Sequence, residues 1–165
     1  MTSTERNSTQ PMKQVMKRVV VCGIGNRLRG DDAVGPLVID ELKKKGQPET
    51  TLLLDCGTVP EGFAGKIIGF EPDIIIIVDA VRMNRPAGEV AEVPIEKIKH
   101  HLATTHKMPV TLFIDYLQRS LPNAELTFIG IQQAATIFGE GLSNECRKAI
   151  ATAAVKMEKY SRNRA

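Results

Sequence analysis

Residues 74–78 read IIIIV, and this run indicates the fold more clearly than any other stretch of the chain. Consecutive apolar residues without a polar residue between them are typical of a strand that is buried on both of its faces. Asp79 follows the run directly. Strands of this kind belong to mostly parallel sheets with helices on each side, so the run predicts an α/β protein.

The segments around this run alternate between strand and helix patterns. Short apolar runs predict further strands at residues 18–24, 52–54, 88–93 and 126–131, the third of them an edge strand that ends at Pro94. Apolar residues at helical spacing predict helices at residues 32–45, 61–69, 109–117 and 142–160. This alternation predicts parallel neighbouring strands with right-handed crossovers. We therefore expect a three-layer α/β/α sandwich with a mostly parallel, twisted sheet of about five strands.

Length and charge restrict the class of protein. The 165 residues suit one domain, which we place at residues 17–162. Residues 1–16 are rich in Ser, Thr, Asn and charge, and we expect them to form a disordered tail. The net charge of +3 resides at the two ends, because residues 1–18 and 156–165 each carry +3 and leave the body at −3. Basic ends on an acidic body do not predict a nucleic-acid partner.

Cysteine usage and hydropathy indicate the compartment. Cys22, Cys56 and Cys146 form no C-x-x-C pair, which excludes a zinc ribbon and a thioredoxin-type site and favours a reducing compartment. The first sixteen residues contain no apolar segment of a secretory signal, and no run approaches the roughly 18 apolar residues of a membrane span. We expect a cytoplasmic protein without membrane insertion.

Polar residues follow the first three predicted strands. Asp31 and Asp32 end the loop after the first strand, Asp55 follows the second, and Asp79 follows the third. Open α/β sheets bind their ligands outside the carboxyl ends of the strands. The sequence therefore predicts that these segments converge on one site at that edge.

A dinucleotide-binding loop is one interpretation of this edge. Gly23-x-Gly25 after a strand resembles the start of G-x-G-x-x-G, and Asp55 occupies the place of a ribose-binding acid. However, Leu28 stands at the third glycine position, and two carboxylates at the following helix would repel a pyrophosphate. Nucleotide binding is therefore the weaker alternative.

A divalent metal site is the other interpretation. Asp32 and Asp79 facing one crevice would resist joint ionisation unless a cation or a shared proton lay between them. With the neutral imidazole of His106 they would form a three-ligand site with open positions. Asp31 has helix capping as an alternative role, and we expect no role for His100 and His101 at a solvated helix end.

Other hydrolytic sites have no support in the sequence. H-E-x-x-H and G-x-S-x-G are both absent, and no cysteine lies in a context that indicates activation. Cys22 and Cys56 are instead predicted to be core residues near the ends of strands.

An ordered set of motifs resembles the nickel–iron hydrogenase maturation endopeptidases, the processing proteases of the hydrogenase large subunit. The motifs are GIGN at 23–26, GDDAVG at 30–35, DCGTVPE at 55–61, IVDA at 77–80, GEV at 88–90, TTHKMP at 104–109 and FIGIQ at 128–132. Each motif alone is modest, but the order of the set is highly specific. The resemblance implies that residues 17–162 form a peptidase domain.

The resemblance also implies an activity and a metal. Members of that family remove a short C-terminal extension from the nickel-loaded precursor of the large subunit. Their metal-binding residues match Asp32, Asp79 and His106, which we also expect to be catalytic. Nickel is then carried by the substrate and is the element that the enzyme recognises, so the free enzyme can be metal-free.

Substrate contacts are expected from the same loops. We assign them to Gly25, Asn26, Asp31, Asp55, Gly57 and Thr58. The expected partner is the large-subunit precursor, with the enzyme acting as a monomer. A non-catalytic, metal-binding assembly chaperone on the same fold remains an alternative.

Overall fold

The computed structural model describes residues 16–101, 110–134 and 139–163. Its centre is a five-stranded sheet with the order β2-β1-β3-β5-β4. The strands are β1 (Val19–Ile24), β2 (Thr51–Gly57), β3 (Ile74–Val81), β4 (Val90–Glu92) and β5 (Glu125–Gln132). The short edge strand β4 is antiparallel to β5, and the other neighbours are parallel. The predicted α/β class and mostly parallel sheet are therefore confirmed.

Helices cover both faces of the sheet. They are α1 (Val34–Lys44), α2 (Ala64–Phe70), α3 (Ile95–His101), α4 (Val110–Ser120) and α5 (Asn144–Asn163). Apolar residues of α2, α3 and α4 form one core cluster with the sheet, and those of α1 and α5 form a second on the opposite face. Strand β3 supplies both clusters, because Ile75 and Ile77 belong to the first and Ile74 and Ile76 to the second. The uninterrupted apolar run thus reflects burial on both faces, worth about 1.5–3 kcal/mol for each isoleucine.

Most predicted elements are present, with differences at their ends. The helix predicted at 32–45 begins at Val34, because residues Gly30–Ala33 form a 3-10 turn before it. The final helix begins at Asn144 and not at residue 142, since the hydroxyl of Ser143 accepts a hydrogen bond from the N–H of Cys146 and caps it. Helix α3 was predicted only through its end at His100 and His101, without a start; Pro94 accepts its first backbone hydrogen bonds, from Lys97 and Ile98.

Some expectations concern residues outside the described ranges. Residues 1–15, which include most of the predicted tail, are among them, and so are residues 102–109 with His106. Among the helices that are described, none is long and apolar enough to cross a bilayer.

Two glycines bring the start of α1 onto the sheet. A Cβ on Gly23 would lie 2.3 Å from the carbonyl oxygen of Gly35, and a Cβ on Gly35 would lie 2.1 Å from that of Ile24 and 2.8 Å from that of Val78. Neither residue can therefore carry a side chain at this spacing. The close approach places Asp32, which lies in the 3-10 turn before α1, at the carboxyl ends of β1 and β3.

The same place is where the chain order of the strands reverses. Strand β1 lies between β2 and β3. The chain therefore passes from β1 to β2 on one side and then crosses to β3 on the other side of β1. In open α/β sheets the crevice at such a point is the usual ligand site. The fold thus selects the gap between β1 and β3.

Candidate active site

Asp32 and Asp79 meet at this gap. Asp32 lies in the 3-10 turn before α1 and is 4% exposed, and Asp79 lies on β3 and is 1% exposed. Burial and, to a smaller extent, repulsion by Asp32 raise the pKa of Asp79 well above its usual value, while a hydrogen bond from the N–H of Ala80 opposes the shift. The structure brings these two acids together, and their roles as metal ligands and catalytic residues stay predictions. Such a pair favours a proton or a cation between its members.

The loop after β1 is shaped around Asp32. Gly25 has a φ of +145°, and a Cβ there would lie 1.8 Å from the carbonyl oxygen of Asp32. The N–H of Asn26 donates to Oδ2 of Asp32 at 3.0 Å, and the N–H of Gly25 donates to the carbonyl of Gly57 at 2.9 Å. These three predicted substrate-contact residues therefore hold Asp32 in place, and Thr58 lies exposed beside them.

The dinucleotide interpretation has no support in this geometry. The space that the glycine loop would offer to a phosphate beside Gly25 is filled by the backbone of Asp32. Asp55, the expected ribose-binding acid, accepts hydrogen bonds from Nε and Nη2 of Arg27 at 3.0 and 2.8 Å. Both features of the motif thus serve contacts within the chain.

Arg27 is a residue that the sequence-based reasoning missed. Its guanidinium bridges Asp40 of α1, at 2.7 and 3.0 Å, and Asp55 of β2. The ion pair with Arg27 lowers the pKa of Asp40. Arg27 therefore ties the loop that carries Asn26 to two neighbouring elements. No local pattern could reveal this, because the partners lie 13 and 28 residues away in sequence.

Asp31 is fully buried and makes structural contacts. Its carboxylate accepts hydrogen bonds from the N–H of Ala134 at 2.7 Å, the N–H of Ser143 at 2.8 Å and the hydroxyl of Ser143 at 3.0 Å. The N-cap residues of the 3-10 turn and of α1 are Arg29 and Ala33, so Asp31 is not the N-cap residue of either. Asp31 instead joins the Asp32 loop to the start of α5, and a contact with substrate stays a prediction.

Gln132 is a second residue that was missed. This buried side chain at the end of β5 accepts hydrogen bonds from the N–H groups of Met83 at 2.7 Å and Arg85 at 3.3 Å. Its own amide donates to the carbonyl of Gln133 at 3.0 Å. Gln132 thereby anchors the loop that follows β3. A polar residue that closes an apolar strand was the available signal.

Cys22 and Cys56 are core residues, as predicted, and both are buried. Their mutual hydrogen bond and burial raise the pKa of the Cys22 thiol. A thiol that stays protonated is a poor nucleophile, so Cys22 is unsuited to covalent catalysis.

His106 lies outside the described residues, so the third predicted ligand cannot be placed. Within the ranges that are described, no group of three His, Cys, Asp or Glu side chains is suited to a metal ion. His100 and His101 do occupy the last turn of α3, as the predicted helix end.

Comparisons with known proteins agree on one family. The sequence profile of the HycI hydrogenase maturation proteases matches residues 36–159. The chain is 30% identical over 150 residues to the hydrogenase 3 maturation protease of Escherichia coli K12. This alignment covers 90% of this chain and 93% of the E. coli protein. The chain is also 34% identical over 123 residues to a putative hydrogenase maturation protease of Methanocaldococcus jannaschii, covering 70% and 72%.

Solved structures give the same result. The crystal structure of the NiFe hydrogenase maturation protease HycI from Thermococcus kodakarensis superposes with a TM-score of 0.80 at 31% identity, covering 90% of this chain and 95% of that one. The hydrogenase maturating endopeptidase HybD from E. coli has a TM-score of 0.77 at 21% identity, which supports the fold alone.

Proposed function

The chain belongs to the hydrogenase maturation protease family, and on that premise we propose that it is the endopeptidase that removes a short C-terminal extension from the large-subunit precursor of a nickel–iron hydrogenase. The observation that carries the proposal is the buried carboxylate pair of Asp32 and Asp79. Structural needs alone do not account for two acids in one water-poor crevice, since their repulsion destabilises the folded chain.

Nickel carried by the precursor is the cation that this pair recognises. Carboxylate and imidazole groups are suitable donors for a divalent ion of this type. In the free protein the raised pKa of Asp79 favours a proton on the pair. Binding the metal-loaded precursor replaces that proton with a cation, whereas a precursor without nickel leaves the repulsion in place. The proposal thus explains how processing can depend on prior insertion of the metal.

His106 is the third ligand in this proposal. Asp79 has the same parity along β3 as Ile77 and Val81, so it lies on the face of the sheet covered by α2, α3 and α4. Val110, the first residue of α4, belongs to the core cluster on that face. His106 precedes Val110 by four positions in the sequence, a reach of at most about 14 Å. The position of Val110 on the same face of the sheet as Asp79 supports the assignment of His106 as a ligand.

The chemistry follows from the donors and the metal of the substrate. Engagement of the nickel by the enzyme fixes the scissile peptide beside it. Lewis acidity then polarises the peptide carbonyl or activates a water molecule, and one carboxylate serves as the base. Apolar contacts for the precursor are available on the same rim, where Leu28 and Val59 are 64% and 54% exposed.

Mass spectrometry of the precursor tests the proposal. We expect the nickel-loaded precursor to lose a short C-terminal peptide when the protein is added, and the nickel-free precursor to remain intact. Asp79→Asn should abolish the loss, whereas Glu49→Gln, an exposed acid before β2 at the opposite edge of the sheet, should not. Binding of the nickel-loaded precursor without any change of its mass would reject the peptidase and support the assembly chaperone.

A further inference from the structure

A basic cleft opens next to the carboxylate pair. It has a volume of about 220 Å³ and lies between the loop after β3 and the start of α3. Arg82, Arg85 and Lys97 line it against one acid, Glu92. Glu92 accepts a hydrogen bond from the hydroxyl of Tyr160, and Arg85 is paired with Glu89 at 2.5 Å.

Two of these cations are available to a ligand. Within the part of the chain that the structure describes, Arg82 and Lys97 form no ion pair, and both are exposed. The cleft therefore has a net positive charge on a body whose overall charge is negative. Local charge of this sign attracts an anionic group.

The cleft is adjacent to Asp79. In the sheet Asp79 pairs with Gly130, and a Cβ on Gly130 would lie 3.0 Å from the side chain of Val93 and 3.1 Å from that of Met83. Val93 and Met83 both line the cleft. Arg82 lies just after the end of β3, three residues beyond Asp79, which is about 10 Å of extended chain. A peptide held at Asp79 would reach the cleft within roughly three residues.

The loop that carries the arginines is anchored. Gln132 accepts hydrogen bonds from the N–H groups of Met83 and Arg85, and its carbonyl accepts one from Gly88 at 2.8 Å. Asn84 has a φ of +56°, a conformation that asparagine tolerates better than most residues. A preformed loop reduces the entropy lost when a ligand binds.

We propose that this cleft, defined by Arg82, Arg85 and Lys97, is a subsite for a carboxylate of the C-terminal extension, the peptide that leaves after cleavage. The inference rests on the proposed function, because it assumes a peptide substrate at Asp79. The volume equals roughly seven bulk water molecules, which suits one or two residues of a peptide. The carboxylate belongs either to an acidic side chain of the extension or to its terminus.

Steady-state kinetics test the subsite with a precursor that the wild-type protein cleaves. We expect Arg82→Gln with Lys97→Gln to raise KM about five- to tenfold and to leave kcat within about twofold, because only binding is weakened. Arg147→Gln with Lys148→Gln is the matched control, since it removes the same charges from the exposed surface of α5. Equal KM values for the two double variants would overturn the proposal. Absence of cleavage by the wild-type protein would instead overturn the proposed function.

Changes in the substrate identify the carboxylate. One precursor carries an amidated C-terminus, and another carries amides in place of the acidic side chains of its extension. One of these two substrates should raise the KM of the wild-type protein by the same factor as the Arg82→Gln, Lys97→Gln double variant raises the KM for the unmodified precursor. When the double variant acts on that modified substrate, KM should rise no further. If neither substrate alters KM, the subsite does not exist. Raising the salt concentration should also weaken binding by the wild-type protein more than by the Arg82 and Lys97 variant.

Discussion

Asp32 and Asp79 interact across the gap between β1 and β3 although both side chains are almost completely buried. The close approach of α1, which depends on Gly23 and Gly35, enforces this proximity. A buried pair of like charges destabilises a fold unless a proton or a cation neutralises it. The site is therefore suited to a ligand that brings positive charge, and the proposed function supplies one in the nickel of the precursor.

Replacement of Asp79 by Asn should make the metal-free protein more stable at neutral pH. The pKa of Asp79 is raised in the folded state. Below about pH 4 both states hold the proton, and the group has little effect. As the pH rises above that value only the unfolded chain releases it, so the stability of the wild type falls until the folded pKa is reached.

Thermal unfolding of the wild type and Asp79→Asn at pH 4 and pH 8 measures this effect. The two midpoints should nearly coincide at the lower pH, and the variant should unfold later at the higher pH. Each kcal/mol of relief raises the midpoint by about 2–4 °C in a domain of this size. A midpoint difference that does not change with pH would contradict the explanation.

Arg27→Gln should weaken processing more than folding. The ion pairs of Arg27 with Asp40 and Asp55 are partly exposed, so their loss should lower the free energy of unfolding by only about 0.5–1 kcal/mol. The loop that positions Asp32 would lose its link to α1 and β2, and the rate of precursor cleavage should fall. Arg27→Lys should restore only part of it, because lysine cannot bridge two carboxylates in the same way.

The pH dependence of Arg27→Gln provides its control. Since Arg27 lowers the pKa of Asp40, the stabilisation is present above the unfolded pKa of about 3.9 and is lost as the pH falls through the folded pKa below it. Urea titrations at pH 7 and pH 2.5 should therefore show a smaller difference between wild type and variant at pH 2.5 than at pH 7. A difference of equal size at both pH values would assign the effect to packing.

The elements that could be predicted from sequence depend on local patterns. Strand β3 could be predicted from the apolar run before Asp79 alone, because burial on both faces is visible in the composition of the run and does not depend on distant residues. The meeting of Asp32 with Asp79 followed from a general rule of parallel sheets. By contrast, the partners of Arg27 and Gln132 are distant in sequence, and hydrogen bonds of this kind leave no periodic signal.

Asp31→Asn should destabilise the fold although it preserves the shape of the side chain. Within the described residues, the carboxylate accepts hydrogen bonds from the N–H of Ala134 and from the N–H and hydroxyl of Ser143. In asparagine an NH2 group replaces one of the two acceptor oxygens, so at least one of these N–H or O–H groups would lose its acceptor. We therefore expect the free energy of unfolding in urea to fall by about 2–4 kcal/mol. Ser143→Ala, which removes the hydroxyl cap of α5, should cost only about 1 kcal/mol. Equal losses for the two variants would show that the charge of Asp31 is unimportant.

Gly35→Ala tests whether close packing of α1 positions the site. The new methyl group would lie 2.1 Å from the carbonyl oxygen of Ile24, so α1 must move away from β1. We expect a loss of about 2–3 kcal/mol, in the range of overpacking, together with a lower rate of precursor cleavage. Gly65→Ala in α2 is the matched control, because nothing lies within 4 Å of its added methyl group. That change should stabilise the helix by about 0.5–1 kcal/mol and leave cleavage unaltered. If Gly35→Ala cleaved as fast as Gly65→Ala, the position of Asp32 would not depend on the contact between α1 and β1.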